Sequence, residues 1–245
     1  MQRLQMEYLD CNTQSLFTII EKPATKAKGM ILLVNPAPHE QNRVAFFYRQ
    51  MSLYMSRLGW LVCRFDFSGT GDSSGSLETR SWTDWSQELS EILRYINDRY
   101  QPENLQVFGC RLGANLVLAL NHMESNIDQV IAIDPLPSSE QYLKELQDIQ
   151  SAMLSHPFDA PFGSSLSHDF FGFRYSDSLL REIETHSPDN RDLKPIICHS
   201  YGEGLPSSMP LDEEFLWTSY GHLKLQFLAQ TILAKAAKWI EGGRS

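Results

Sequence analysis

Apolar runs of strand length alternate along most of the chain with stretches whose apolar residues recur every three to four positions. That alternation predicts a mainly parallel sheet with helices on its faces. The chain opens on QMEYLDC and SLFTIIEKP, which read as an antiparallel pair of strands. GMILLVNP is continuously apolar, as suits a strand covered on both sides. AFFYRQMSLYMSRLG then reads as a helix stopped by Gly59, and WLVCRFDF as the next strand. The turn-rich SGTGDSSGS leads to a helix over WTDWSQELSEILRYINDRY, where Trp82, Trp85, Leu89, Ile92, Leu93 and Ile96 mark one apolar face.

NLQVFG is a strand, RLGANLVLALNHM a helix and QVIAID a further strand. Between Pro135 and Lys194 the strand rhythm stops, and SEQYLKELQDIQSAML, DFFGFRYS and SLLREIETH follow. A structureless loop of that length is unusual in a compact domain, so residues 138–192 are expected to form a partly helical cap. PIICHSYG and EFLWTSY resume the strands, and LKLQFLAQTILAKAAKWI closes the chain as a helix. The sum is an α/β fold with an eight-stranded, mostly parallel sheet, in one domain spanning residues 1–245 and carrying the cap as an insertion.

Composition narrows the partners. Of the 245 residues, 42% are hydrophobic and 21% charged, as in an ordinary globular domain, and the formal net charge is −9. An acidic balance without a block of Lys and Arg disfavours nucleic acid or an anionic membrane surface as partner. The start, MQRLQMEYLDCNTQ, lacks the apolar run of a signal peptide, and no stretch is apolar for long enough to insert in a membrane, so a cytoplasmic protein is expected. Cys11, Cys63, Cys110 and Cys198 lie far apart with no CxxC pair, and no histidines show ligand spacing; neither a metal nor another cofactor is expected.

The chemistry concentrates in VFGCRLGANLVLAL, at a strand-to-helix junction. Gly109, Gly113 and Ala114 bracket position 111 in the G-x-nucleophile-x-G pattern, in which small residues permit a sharp turn that lifts its tip above the sheet. The tip here is Arg111. FDFSGTGDSSG after the preceding strand resembles the D-x-R-G-x-G-x-S-x-G loop of α/β-hydrolases, and TSYGHLKLQFL resembles the turn that carries their histidine. Three motifs in this order identify the α/β-hydrolase fold. Within that superfamily NPAPHEQN and GCRLGA resemble the "PPFAEE-N" and "G-x-R-L-G-A" segments of the exosortase-system-associated hydrolases, as does GFRYSDSLLREI in the cap. The resemblance implies a link to bacterial exopolysaccharide and protein-sorting systems.

A guanidinium is permanently protonated and offers no lone pair for attack, so Arg111 cannot form an acyl-enzyme. Cys110, Ser68 and Ser73 are the fallback nucleophiles, each with a structural role as the competing reading: Cys110 pointing into helix–sheet packing, the serines bonding backbone in a turn. His222 stands where the family places its general base, and it equally suits a histidine satisfying loop carbonyls. Asp134, at a strand end before Pro135, is the first candidate acid or a turn residue; Glu203 is the second, with Leu205 falling about where the usual aspartate would be. His39, in the loop after the third strand, is a candidate pocket residue, while His156, His168 and His186 fall in the cap. The amides of Leu112 and Ala37 would form an anion site with Arg111, since Pro36 and Pro38 have no N–H. A buried Arg111 requires a partner: either an internal carboxylate, with Asp134 or Glu203 nearest by chain position, or an external anion. Two functions follow: an atypical or degenerate hydrolase acting on a small ester, thioester or acylated sugar, or a non-catalytic protein that holds an anionic or acyl-containing molecule or a partner segment in the same cleft.

Overall fold

The computed structural model describes residues 3–120, 127–136, 139–154, 168–185, 196–199, 209–210 and 230–241. Two antiparallel strands, β1 (Leu4–Cys11) and β2 (Gln14–Glu21), open the chain with Leu4 opposite Glu21 and a turn through Asn12 at φ 53°. β3 (Met30–Val34) runs into α1 (Pro38–Arg57), which returns through Gly59 to β4 (Leu61–Phe65). The loop after β4 leads to α2 (Trp82–Tyr100), β5 (Leu105–Cys110), α3 (Leu112–Ala119) and β6 (Gln129–Ile133). α4 (Ser139–Leu154), a two-stranded ribbon of β7 (Asp169–Phe170) and β8 (Phe173–Arg174), and α5 (Asp177–Thr185) come next. β9 (Ile196–His199), β10 (Met209–Pro210) and α6 (Gln230–Ile240) follow.

Eight strands form one sheet in the order β1-β2-β4-β3-β5-β6-β9-β10. The pairings β1–β2 and β2–β4 are antiparallel and the others parallel. Alternation along β3 divides the interior: Ile31 and Leu33 join Phe47, Tyr48 and Met51 of α1 and Ala236 and Ile240 of α6 on one face. Met30, Leu32 and Val34 join Trp85, Leu89 and Ile92 of α2, together with α3, α4 and α5, on the other. α2 begins where expected because Ser81 and Asp84 form a reciprocal capping box, so two orphan amides are satisfied locally.

Two expectations change. α1 begins at Pro38 rather than Ala45, because Pro at the first helical position costs no hydrogen bond and Glu40 complements the helix dipole. The eighth strand is Met209–Pro210, which the apolar pattern did not mark; the expected strand EFLWTSY lies outside the described residues.

Candidate functional site

β5 ends at Cys110, and the chain reverses into α3 through Arg111, which caps the helix at φ 51° and ψ −124°. A non-glycine residue at positive φ costs energy, and here neighbouring bonds fix it: Arg111 N–H donates to Ile133 O at 2.9 Å, and Arg111 O accepts Asn115 N–H at 3.1 Å. The turn closes only because its flanks are small. A Cβ on Gly109 would lie 2.7 Å from Gly113 O, and one on Gly113 would lie 2.4 Å from Asn35 O. The segment after β3 is thereby pressed against the start of α3, and with it the first turn of α1.

That proximity decides the fate of Arg111. The residue is 3% exposed, and its Nε donates to Oε1 of Glu40, itself fully buried, at 2.9 Å. The ring of Tyr142 from α4 lies 5.5 Å from the guanidinium carbon, within range of a cation–π contact. His39 precedes Glu40 on α1, with its Nε2 4.0 Å from Glu40 Oε1. The hydroxyl of Tyr175 sits 2.7 Å from His39 Nδ1, that of Tyr142 3.4 Å from Nε2, and the Phe171 ring 5.1 Å from the imidazole centre. Tyr142, Phe171 and Tyr175 thus close over a buried ion pair at the end of the sheet.

Several sequence readings are revised by this arrangement. His39 lies in the first helical turn, not in a loop, and packs with aromatic residues. Glu40 of α1, not singled out by the sequence, makes the Arg111 contact described above; Asp134 ends β6 as a buried residue at φ 46°, and Glu203 lies outside the described residues. Glu40 is hidden in a segment that looks like a loop, although Pro38 followed by an acidic residue is a helix-start signal. Tyr142 and Tyr175 carried no signal, since only the tertiary packing of α4 and the β7–β8 ribbon brings them to His39.

Ala37 caps α1 and Leu112 opens α3, both buried at this junction. Cys110 is fully buried beneath it, and burial, the largest influence, pushes its thiol well above the ordinary range, so little thiolate exists at neutral pH. Ser68 is fully buried as well, donating both its hydroxyl and its N–H to Glu88. Ser73 donates to Asp66 O at 2.6 Å and accepts Phe17 N–H at 2.8 Å, a turn brace rather than an exposed hydroxyl. His168 pairs with Asp177 at 2.7 Å, at the start of α5. His222, Glu203, Leu205, His156 and His186 lie outside the described residues. Among the described residues no group of three or more His, Cys, Asp and Glu is arranged to hold a metal, and no described helix is long and apolar enough to cross a membrane.

Comparison with known proteins agrees with this architecture. Residues 25–165 match the family model described as serine aminopeptidase, S33. Among solved structures, the Est1E protein of Butyrivibrio proteoclasticus with ferulic acid bound superposes with a TM-score of 0.66 at 15% identity, over 96% of this chain and 99% of that one. Proline iminopeptidase of Mycobacterium smegmatis gives 0.63 at 12% identity over 98% of each chain. A putative hydrolase from Agrobacterium vitis gives 0.55 at 16% identity, over 81% of this chain and 78% of that one. At these identities the likeness is one of fold. The search of curated proteins gives no significant match.

Proposed function

The chain belongs to the serine aminopeptidase S33 family of α/β-hydrolases, and from that premise we propose that it is a degenerate member that binds an acyl-containing molecule without cleaving it through the elbow. The observation that carries this reading is the buried Arg111–Glu40 ion pair, with Nε and Oε1 at 2.9 Å. An elbow works in catalysis by presenting a deprotonatable nucleophile beside a base. Here the tip is a cation whose charge is answered by Glu40 from α1, so the turn is a structural pin.

The internal carboxylate also argues against a free anion as the normal partner of Arg111, since Glu40 already occupies the guanidinium. The ligand would instead enter among the packed aromatic residues above it, parting His39, Tyr142, Phe171 and Tyr175, of which Phe171 is the one partly exposed. Hydrolysis through another nucleophile has less support, because Cys110 and Ser68 are both fully buried. The finer resemblance to the exosortase-system-associated hydrolases, with its exopolysaccharide context and a cytoplasmic location, belongs to the same proposal.

The test joins turnover with labelling. Wild-type protein is assayed with p-nitrophenyl acetate, p-nitrophenyl butyrate and proline p-nitroanilide, then treated with a fluorophosphonate probe and weighed intact. Background turnover and no adduct are expected, and Arg111→Ser is expected to restore neither. A stoichiometric adduct on the wild type, with loss of a measurable turnover, would overturn the reading.

A further inference from the structure

Away from the elbow, the α1 side of the sheet is partly exposed at its antiparallel end. Met6 and Tyr8 on β1 are 59% and 60% exposed. The register sets Met6 opposite Ile19 and Tyr8 opposite Phe17, whose ring centre is 5.4 Å from that of Tyr8. Leu16 and Ile20, which alternate with Phe17 and Ile19, are fully buried in the core on the opposite face. The row continues inward, because Ile19 faces Arg64 on β4. Between this apolar shelf and α1 lies a cavity of about 80 Å³, with Phe17, Ile19, Ala45 and Arg64 in its lining together with Gln41 and Asp66, which bond each other.

Arg64 is the feature that ordinary packing does not explain. Its Nε is buried without a hydrogen-bond partner, and it forms no ion pair among the described residues. Burial disfavours its charged form, while Glu21 and Asp66 support it only from a distance and Arg49 opposes it. Asp66 is committed elsewhere: its carboxylate accepts Asn35 at 3.0 Å, Gln41 at 2.7 Å and the Asp72 amide at 3.1 Å. Arg64 as a whole is half-buried, and a carboxylate entering beside it would supply the acceptor that its buried Nε lacks.

We propose that the cavity between β2, β4 and α1 is a binding site for a small organic carboxylate, its head received by Arg64 and its apolar body laid on Ile19, Phe17 and Met6. Arg49, exposed on α1, adds a second positive charge that Arg64 feels. The shelf supplies contact for a hydrocarbon or aromatic body, and the charge selects an acid over the corresponding alcohol. The site is separate from the elbow, where Arg111 already has Glu40, and does not depend on the function proposed there.

Thermal unfolding of the full chain is followed at fixed ionic strength with hexanoate or benzoate, and with hexanol or benzyl alcohol as neutral counterparts. A ligand that binds only the native state raises the midpoint. The acids are expected to raise Tm and the alcohols to leave it unchanged. Arg64→Gln is expected to lose the shift while its unliganded Tm stays close to that of the wild type, since Arg64 is half-buried and its Nε–H has no acceptor. Ala45→Trp, which adds bulk from an exposed helical position, keeps Arg64 and is also expected to lose the shift. No acid-dependent shift in the wild type, or a full shift retained in either variant, overturns the proposal.

Discussion

Glu88 is a carboxylate placed where burial and hydrogen bonding compete. It is 4% exposed, and Ser68 donates to both of its oxygens. Burial is the larger influence and raises its pKa above the ordinary 4.5, with the Ser68 bonds pulling the other way; Asp66 is raised from 3.8, again chiefly by burial. A carboxyl whose native pKa lies above its unfolded value holds its proton more tightly in the folded chain. Its contribution to stability is full below the unfolded pKa and is lost as pH rises through the native pKa. Thermal midpoints measured upward from pH 4.5 are therefore expected to show a loss that Glu88→Gln reduces. Glutamine keeps the size and one carbonyl acceptor while removing the titration, so an unchanged pH slope in that variant would show that Glu88 does not drive it. The same competition makes Ser68 a poor nucleophile, because its hydroxyl is already committed to Glu88.

At the scale of elements, the strand–turn–helix unit of β5, Arg111 and α3 depends on close approach. Asn35 O and Val34 O would lie 2.4 and 2.8 Å from a Cβ at Gly113, and both are backbone atoms that cannot swing away. Gly113→Ala is expected to destabilise by about 3 kcal/mol, the upper part of the overpacking range, measured as a fall in the urea midpoint with unchanged slope. A neutral substitution would mean that β3 and α3 are not so tightly apposed. This unit was legible in the sequence because two physical demands coincide there: an apolar run of strand length, then small residues at the spacing that a sharp reversal needs. The start of α1 was harder to read. PAPHEQN lacks helical apolar periodicity, and Pro36, Pro38 and His39 resemble a loop until Pro38 is recognised as the first helical residue. β10 has only two residues and contains Pro210, so no pattern of strand length existed to find.

The whole molecule explains why the fold was easier to read than its site. Alternation, turn chemistry and motif order are local properties of a chain, and they led to the sheet, its flanking helices and the elbow. The partner of Arg111 is a long-range property, separated from it by β4, α2 and β5 and joined to it only when β3 and β5 pair in parallel. The sequence requires that a buried guanidinium have a partner, and distance along the chain offers Asp134 and Glu203 as candidates but gives no sign of Glu40. The central claim is that this ion pair pins the elbow, and a double-mutant cycle on unfolding free energy tests it most directly, with Arg111→Met, Glu40→Leu and the combined variant. Each single change leaves a buried charge without its partner and is expected to cost about 3–5 kcal/mol, whereas the double variant leaves neither charge and is expected to cost well below the sum. A coupling energy of about 2 kcal/mol or more is the predicted result; single costs that simply add would contradict it.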